Sequence, residues 1–181
     1  MEREENTVKI CVINGSARKG NTLAAIEALM AGAKEKNEIE VIQADKVDID
    51  FCKGCNACEC FKGCVDKDDT NEVIDKLVAS DMIIFATPVY WWGMTAQIKL
   101  IIDKCYSKGA LLKGKKIGVV VVGGASTDSI QYRIIREQFE CMAEYLAWEK
   151  VFYRDYSASG AEELRSNEAA MKELEAIGKE L

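Results

Sequence analysis

Apolar residues along the chain fall into two alternating rhythms. Short β-branched runs are each followed by a loop, and then by a longer stretch whose apolar positions recur every three or four residues, the mark of strand and amphipathic helix in turn. The pattern predicts strands over 8–14, 39–44, 81–87, 116–122 and 148–153. Helices are predicted over 22–37, with Leu23, Ile26, Leu29 and Met30 on one side, and over 70–79, 96–106, 128–146 and 162–181. Residues 82–86 and 117–122 are almost continuously apolar, so both faces of those strands must be covered, as in parallel sheets flanked by helices. Five strands alternating with five helices specify an α/β doubly wound sheet with helices on both faces and right-handed crossovers. Ligands on such sheets bind beyond the carboxyl ends of the strands, which directs attention to the loops after the first four strands.

A chain of 181 residues is expected to form one domain spanning 1–181. With 49% hydrophobic and 30% charged residues and one proline, extended disorder is excluded. No apolar run approaches the roughly 18 residues of a membrane span, and the amino terminus is acidic where a secretory signal is basic, so the expectation is a cytoplasmic protein with no membrane partner. A net charge of −6 opposes binding to a phosphate backbone, so no nucleic-acid partner is expected. Lys113, Lys115 and Lys116, the densest basic group, read as a solvated loop. The absence of histidine narrows the chemistry further. It excludes Ser-His-Asp and Cys-His nucleophiles, His-ligated zinc and histidine acid–base catalysis, leaving cofactors, thiols and carboxylates.

The loop after the first strand reads Gly15-Ser-Ala-Arg-Lys-Gly20-Asn21-Thr22. Glycines in a strand-to-helix turn let backbone amides converge at a helix start, an anion site. Asn21 stands where the nucleoside-triphosphatase pattern GxxxxGK[ST] has its lysine, which favours a ligand with a single terminal phosphate, and the spacing of GxGxxG is also missing. Ser16, Arg18, Gly20, Asn21 and Thr22 are the candidate phosphate residues, the alternative being that Asn21 or Thr22 only caps the helix. After the third strand comes Thr87-Pro88-Val89-Tyr90-Trp91-Trp92-Gly93, where proline ends the strand and three consecutive aromatic rings offer a stacking wall for a planar ligand. Gly123 and Gly124 open a third small-residue loop after the fourth strand, in which Ser126 or Thr127 is the alternative helix cap.

Five of the eight cysteines, Cys52, Cys55, Cys58, Cys60 and Cys64, lie within 52–64. Cys52, Cys55, Cys58 and Cys64 have the spacing CxxCxxCx5C, which suits a compact [4Fe-4S] site. Zinc held by four thiolates, and buried cysteines that bind nothing, remain open beside it. Cys11, Cys105 and Cys141 fall within strand or helix patterns and are expected in the core. Among the acids that follow, Asp69 and Glu72 read as a capping box rather than a catalytic carboxylate pair, and Lys99 with Asp103 as a surface ion pair.

Three stretches in this order, GSARKGNT, CKGCNACECFKGCVDKDD and IIFATPVYWWGMTAQIKLIID, make the sequence resemble the flavodoxin-like NAD(P)H-dependent FMN reductases, in particular their iron-sulfur flavoprotein branch. The resemblance covers about 8–106. It implies strand order 2-1-3-4-5 and FMN at the carboxyl edge. Ser16, Arg18, Asn21 and Thr22 would hold the phosphate, and Pro88, Val89, Tyr90, Trp91 and Gly93 would line the ring, with Trp92, Gly123 and Gly124 beside them. It further implies a [4Fe-4S] cluster on Cys52, Cys55, Cys58 and Cys64, and dimers or tetramers with FMN near a subunit contact. Cys60 is an extra thiol within the motif, and Thr70 replaces an apolar residue usual after the paired aspartates. The expected activity is hydride transfer from NAD(P)H to FMN and onward delivery to a quinone, an azo or nitro compound, free flavin or the internal cluster. The rival expectations are a non-enzymatic electron carrier between protein partners and a zinc-stapled binding module.

Overall fold

The alternation is present in the computed structural model, which describes residues 7–59 and 62–181; Cys60 lies outside them. Strands β1 (Lys9–Asn14), β2 (Glu38–Gln43), β3 (Met82–Pro88), β4 (Lys116–Gly123) and β5 (Glu149–Ser157) pair in parallel in the order β2-β1-β3-β4-β5. Register sets Asn14 against Gln43 and Ala86, and Gly123 against Ser157, so every strand ends on one common edge. The helices are α1 (Asn21–Ala33), α2 (Thr70–Ala79), α3 (Ala96–Lys104), α4 (Ile130–Leu146), α5 (Glu163–Ser166) and α6 (Glu168–Lys179), with a 3₁₀ segment, Cys105–Leu112, after α3. No helix of the described residues is long and apolar enough to cross a membrane.

Because successive side chains point to opposite faces, the continuous apolar strands feed two cores at once. Cys11, Ile13, Phe85 and Val119 meet Val73, Leu77, Ile98 and Phe139 from α2, α3 and α4. Ile10, Val12, Ile84 and Val120 meet Ile26, Leu29 and Leu174 from α1 and α6 on the other face. Helices α1 and α6 cross so closely that a Cβ on Gly178 would lie 2.1 Å from the Leu29 carbonyl oxygen. Gly178→Ala is therefore expected to cost about 1–3 kcal/mol by forcing the helices apart. A urea midpoint equal to that of the parent chain would contradict this close approach.

Several expectations are corrected. Strand β5 continues to Ser157 because the charges that look like a loop are paired: Arg154 Nε lies 2.7 Å from Glu173, and Arg136 Nη2 2.6 Å from Asp155. The terminal helix breaks at Asn167, whose side chain accepts from Ala170 N at 3.1 Å and so starts α6. Helix α1 stops at Ala33, and Asn37 ties its end to β1 by donating to Ala33 O and accepting from Val8 N. The α-helix predicted through 106 tightens to 3₁₀ at Cys105. The capping box does not form: Asp69 accepts instead from Asp48 N at 2.8 Å, Asp68 accepts from Thr70 N at 2.9 Å, and Glu72 pairs with Lys76. Helix α4 starts at Ser129 with no side-chain cap from Ser126 or Thr127. Lys115 is half-buried, donating to Val78 O at the end of α2. Cys141 is exposed on α4, whereas Cys11 and Cys105 are in the core with thiols pushed up to about 12 by burial. Lys99 and Asp103 form the expected surface pair.

Candidate functional site

At the end of β1 the chain turns over the β1/β3 junction, where Gly15 N donates to Ala86 O at 2.8 Å. A Cβ on Gly15 would lie 2.4 Å from Ile98 Cγ1, so only glycine passes this close to α3. The Asn14 carboxamide, buried, accepts from Ser16 N at 3.0 Å, and Ser16 Oγ in turn accepts from Arg18 N at 3.3 Å. These bonds curl the loop into the start of α1. That helix begins at Gly20 with no side-chain cap and no acid in its first turn, which leaves both its first amides and its dipole free for an anion. Arg18 and Lys19 are exposed at its mouth.

The loop after β3 is pinned at both ends by one hydroxyl. Thr87 Oγ1 donates to Pro88 O at 2.8 Å and accepts from Thr95 N at 3.1 Å. Between them Tyr90 and Gly93 exchange backbone bonds of 2.9 and 3.1 Å, making a two-residue hairpin with Trp91 (φ 46°) and Trp92 (φ 64°) at its tip. Both tryptophans are left-handed, a conformation that costs about 1–2 kcal/mol for a residue with a Cβ. The natural occupants of such a turn are Asn and Gly. Replacing Trp91 and Trp92 together by Asn and Gly is expected to raise stability by about 2 kcal/mol. An unchanged urea midpoint would show that no strain is held there.

One cavity of about 380 Å³ joins these loops. It is lined by Ser16, Arg18, Gly20, Asn21 and Thr22, by Pro88, Val89 and Tyr90, by Gly123 and Gly124, and by residues 158–161 after β5. The expected residues of three separate loops thus meet in one place. Trp91, Trp92 and Gly93 lie outside its lining; Trp91 is 91% exposed and packs edge-on against Trp92, with ring centroids 5.1 Å apart. The wall at 158–161 lies outside the expected site because the predicted fifth strand ends at 153, four residues short of the observed end at Ser157. Asn21 holds that wall: its Nδ2 donates to Gly160 O at 2.7 Å and Ala158 O at 3.4 Å, while its Oδ1 accepts from Leu164 N at 3.0 Å. Glu163 closes the same loop by accepting from Ser159 N at 2.7 Å and Gly160 N at 2.8 Å, which keeps its carboxyl below the ordinary glutamate range.

The cysteines form a second site that shares no lining residue with the first. Cys52, Cys55, Cys58 and Cys64 are free thiols that line one small pocket of about 40 Å³. Left-handed residues at Gly54, Asn56, Glu59 and Gly63 reverse the chain between them. Asn71 of α2, missed in the sequence, brackets Cys64, accepting from its N–H and donating to its carbonyl, both at 2.8 Å. Asp66 at the rim is held down to about 2 by hydrogen bonds from Lys104 and then Lys53. Among the described residues no three Cys, Asp or Glu side chains are gathered around a single-ion position.

Residues 8–137 match the family model described as NADPH-dependent FMN reductase. An iron-sulfur flavoprotein of Archaeoglobus fulgidus is 38% identical over 54% of this chain and 48% of its own length. One of Methanocaldococcus jannaschii is 37% identical over 65% of this chain and 63% of its own. The chain therefore spans about half to two-thirds of the curated relatives it matches. An NAD(P)H:quinone oxidoreductase from Methanothermobacter marburgensis superposes with a TM-score of 0.75 at 15% identity, covering 96% of both chains, a likeness of fold.

Proposed function

The chain belongs to the NADPH-dependent FMN reductase family, and on that premise we propose that it is an NAD(P)H-dependent FMN oxidoreductase whose cysteine loop carries a [4Fe-4S] cluster. The observation that carries the reading is the convergence of an uncapped helix start and the loops after β1, β3 and β4 on one cavity at the carboxyl edge. Its size lies within the usual range for small-ligand sites, and its donors are those a terminal phosphate needs. Bound FMN would supply the hydride chemistry, taking a hydride from NAD(P)H and passing electrons to a small-molecule or protein acceptor.

The chain's own part is to bind and orient. The amides of the first turn of α1, with Ser16, Gly20 and Thr22, receive the phosphate, and Arg18 lowers the cost of bringing its charge in. Asn21 contributes through the wall it anchors. Pro88, Val89, Tyr90, Gly123 and Gly124 flank the ring, small residues on one side allowing the backbone to come close. Trp91, Trp92 and Gly93 stand beyond the cavity, where a nicotinamide or acceptor would arrive. No protein acid or base is needed for hydride transfer, in keeping with a chain that has no histidine.

For the cysteine loop, the donor set supports a cluster. Four thiols share one pocket. Four closely spaced thiolates are the donor set of an iron-sulfur cluster, whereas four-thiolate zinc is more usually held by two well-separated CxxC pairs. The buried hydroxyl of Ser107 in the same pocket has no partner among the described residues.

Anaerobic purification with flavin, iron and acid-labile sulfide measured per chain tests the reading. The expected protein carries FMN and about four irons and four sulfides, as the cluster type requires, and its flavin absorbance bleaches with NADH or NADPH. Protein that takes up no FMN ends the proposal. The exposure of Cys52 and Cys55 leaves the pocket open to a protein surface, which favours an electron carrier as the second reading; flavin that stays oxidised with both nucleotides would select it.

A further inference from the structure

Behind the cysteine pocket lies a cation that ligation alone does not use. Lys104, the last residue of α3, is 2% exposed. Its Nζ lies 2.7 Å from Asp66 Oδ2, 3.7 Å from Asp68 Oδ2 and 3.5 Å from Cys64 Sγ. Burial works against its charge, and the two carboxylates supply the pairing that offsets it. Three residues on, Ser107 is 3% exposed, and its hydroxyl is unpartnered among the described residues. Both line the pocket of the four cysteines. A buried ammonium is costly unless paired, which Asp66 and Asp68 provide, and an orphaned buried hydroxyl is costly too, so it is Ser107 that calls for an acceptor in this small pocket. Asp66 is shared, its other oxygen lying 3.2 Å from Lys53 Nζ, whereas Asp68, 3.7 Å from Lys104 Nζ, is in no other ion pair among the described residues. The contact to sulfur is the one left over.

We propose that Lys104 and Ser107 set the reduction potential of the cluster held by Cys52, Cys55, Cys58 and Cys64, Lys104 as a fixed cation bonded to the Cys64 sulfur and Ser107 as a neutral hydroxyl donor to sulfur in the same pocket. The inference rests on the cluster reading above. Four thiolates give a [4Fe-4S] site net negative charge, and reduction adds one electron with no bond made or broken. A nearby cation and an O–H donor favour that extra charge, so both residues raise the potential. Asp66 Oδ2 is itself 3.6 Å from the Cys64 sulfur, so the pair presents both charges there, and removing Lys104 leaves that carboxylate oxygen uncompensated beside the ligand; Asp68 acts one step further out, helping to hold Nζ where it reaches Cys64. These are positioning residues, because they work through the ligands.

The test is an anaerobic potentiometric titration of the purified holoprotein with dithionite, followed by electron paramagnetic resonance, on the parent chain, Lys104→Met, Lys104→Arg and Ser107→Ala. Iron, sulfide and FMN are measured on every sample. Lys104→Met is expected to lower the ratio of reduced to oxidised cluster at a fixed potential at least tenfold, equivalent to about 59 mV for one electron. Lys104→Arg recovers at least half of that shift, and Ser107→Ala lowers the ratio about threefold in the same direction. The FMN couple stays where it was, since the two sites share no lining residue. Should Lys104→Met fail to fold, Ser107→Ala carries the test. A parent chain without iron and sulfide sinks the cluster reading and this inference with it. Clusters that are intact in the variants and reduce as the parent's does, within twofold, overturn this inference alone. So does loss of iron from Lys104→Met beside an unmoved Ser107→Ala, which marks Lys104 as a structural ion pair.

Discussion

Replacing Gly20 by aspartate is expected to weaken FMN binding at least about 100-fold while leaving the apoprotein as stable or more so. Gly20 is the residue from which α1 starts, and no side chain caps the turn that follows. Aspartate at that position accepts from the free first-turn amides and complements the helix dipole, together worth about 0.5–2 kcal/mol. A Cβ at Gly20 meets nothing nearer than Ala161 O at 3.4 Å, an ordinary contact, so the position has room for the start of a side chain. The same carboxylate then occupies the place proposed for the phosphate. Two unit negative charges about 4 Å apart repel by about 4 kcal/mol at an effective dielectric near 20, which is more than the roughly 2.7 kcal/mol that 100-fold requires. Urea unfolding of the apoprotein and quenching of FMN fluorescence measure the two halves. Opposite signs for stability and binding separate a lost anion site from a damaged fold. FMN affinity kept within threefold would place the phosphate elsewhere.

The parts of this fold that could be read in advance are those whose residues have no choice of partner. Strands β1, β3 and β4 are covered on both faces, and their apolar runs announce it; α2 runs over the predicted 70–79. The three loops that reach the cavity follow from those strands, because a parallel sheet delivers its strand ends to one edge. What failed depended on pairing between distant residues. Arg154 and Asp155 look like a turn until Glu173 and Arg136 arrive from α6 and α4, and with the end of β5 misplaced the wall at 158–161 was lost as well. Lys104 reads as an ordinary helical surface charge; only the return of the cysteine loop carrying Asp66 buries it. Trp91 and Trp92 give the same aromatic signal whether they point into a site or away from it. Their left-handed backbone comes from the short hairpin between Tyr90 and Gly93, which residue type does not announce.

Asn21→Ala separates a residue that touches the phosphate from one that holds the wall of its cavity, and the structure favours the second. All the polar capacity of the Asn21 carboxamide that the structure shows engaged is spent on the segment after β5, on Ala158 O, Gly160 O and Leu164 N. Alanine takes this partner from Ala158 O and Leu164 N at partly buried positions, while exposed Gly160 O keeps Glu163 N at 3.3 Å, a loss of about 1–3 kcal/mol. The loss is local, because β5 and α6 remain paired to their own neighbours, so residues 158–164 should open before the sheet does. Hydrogen exchange at the Leu164 amide is then expected to speed up at least about tenfold, the factor that 1.4 kcal/mol of local opening produces. FMN affinity falls by about tenfold as the cavity loses a rigid side. Asn21→Asp gives the control. It keeps the acceptor for Leu164 N, loses the donor to Gly160 O, and sets a negative charge in the first turn of α1, so it should exchange more slowly at Leu164 than the alanine variant yet bind FMN less well. If Asn21→Ala loses FMN while Leu164 exchanges as it does in the parent chain, the carboxamide holds the phosphate directly and its bonds to the β5 loop are incidental.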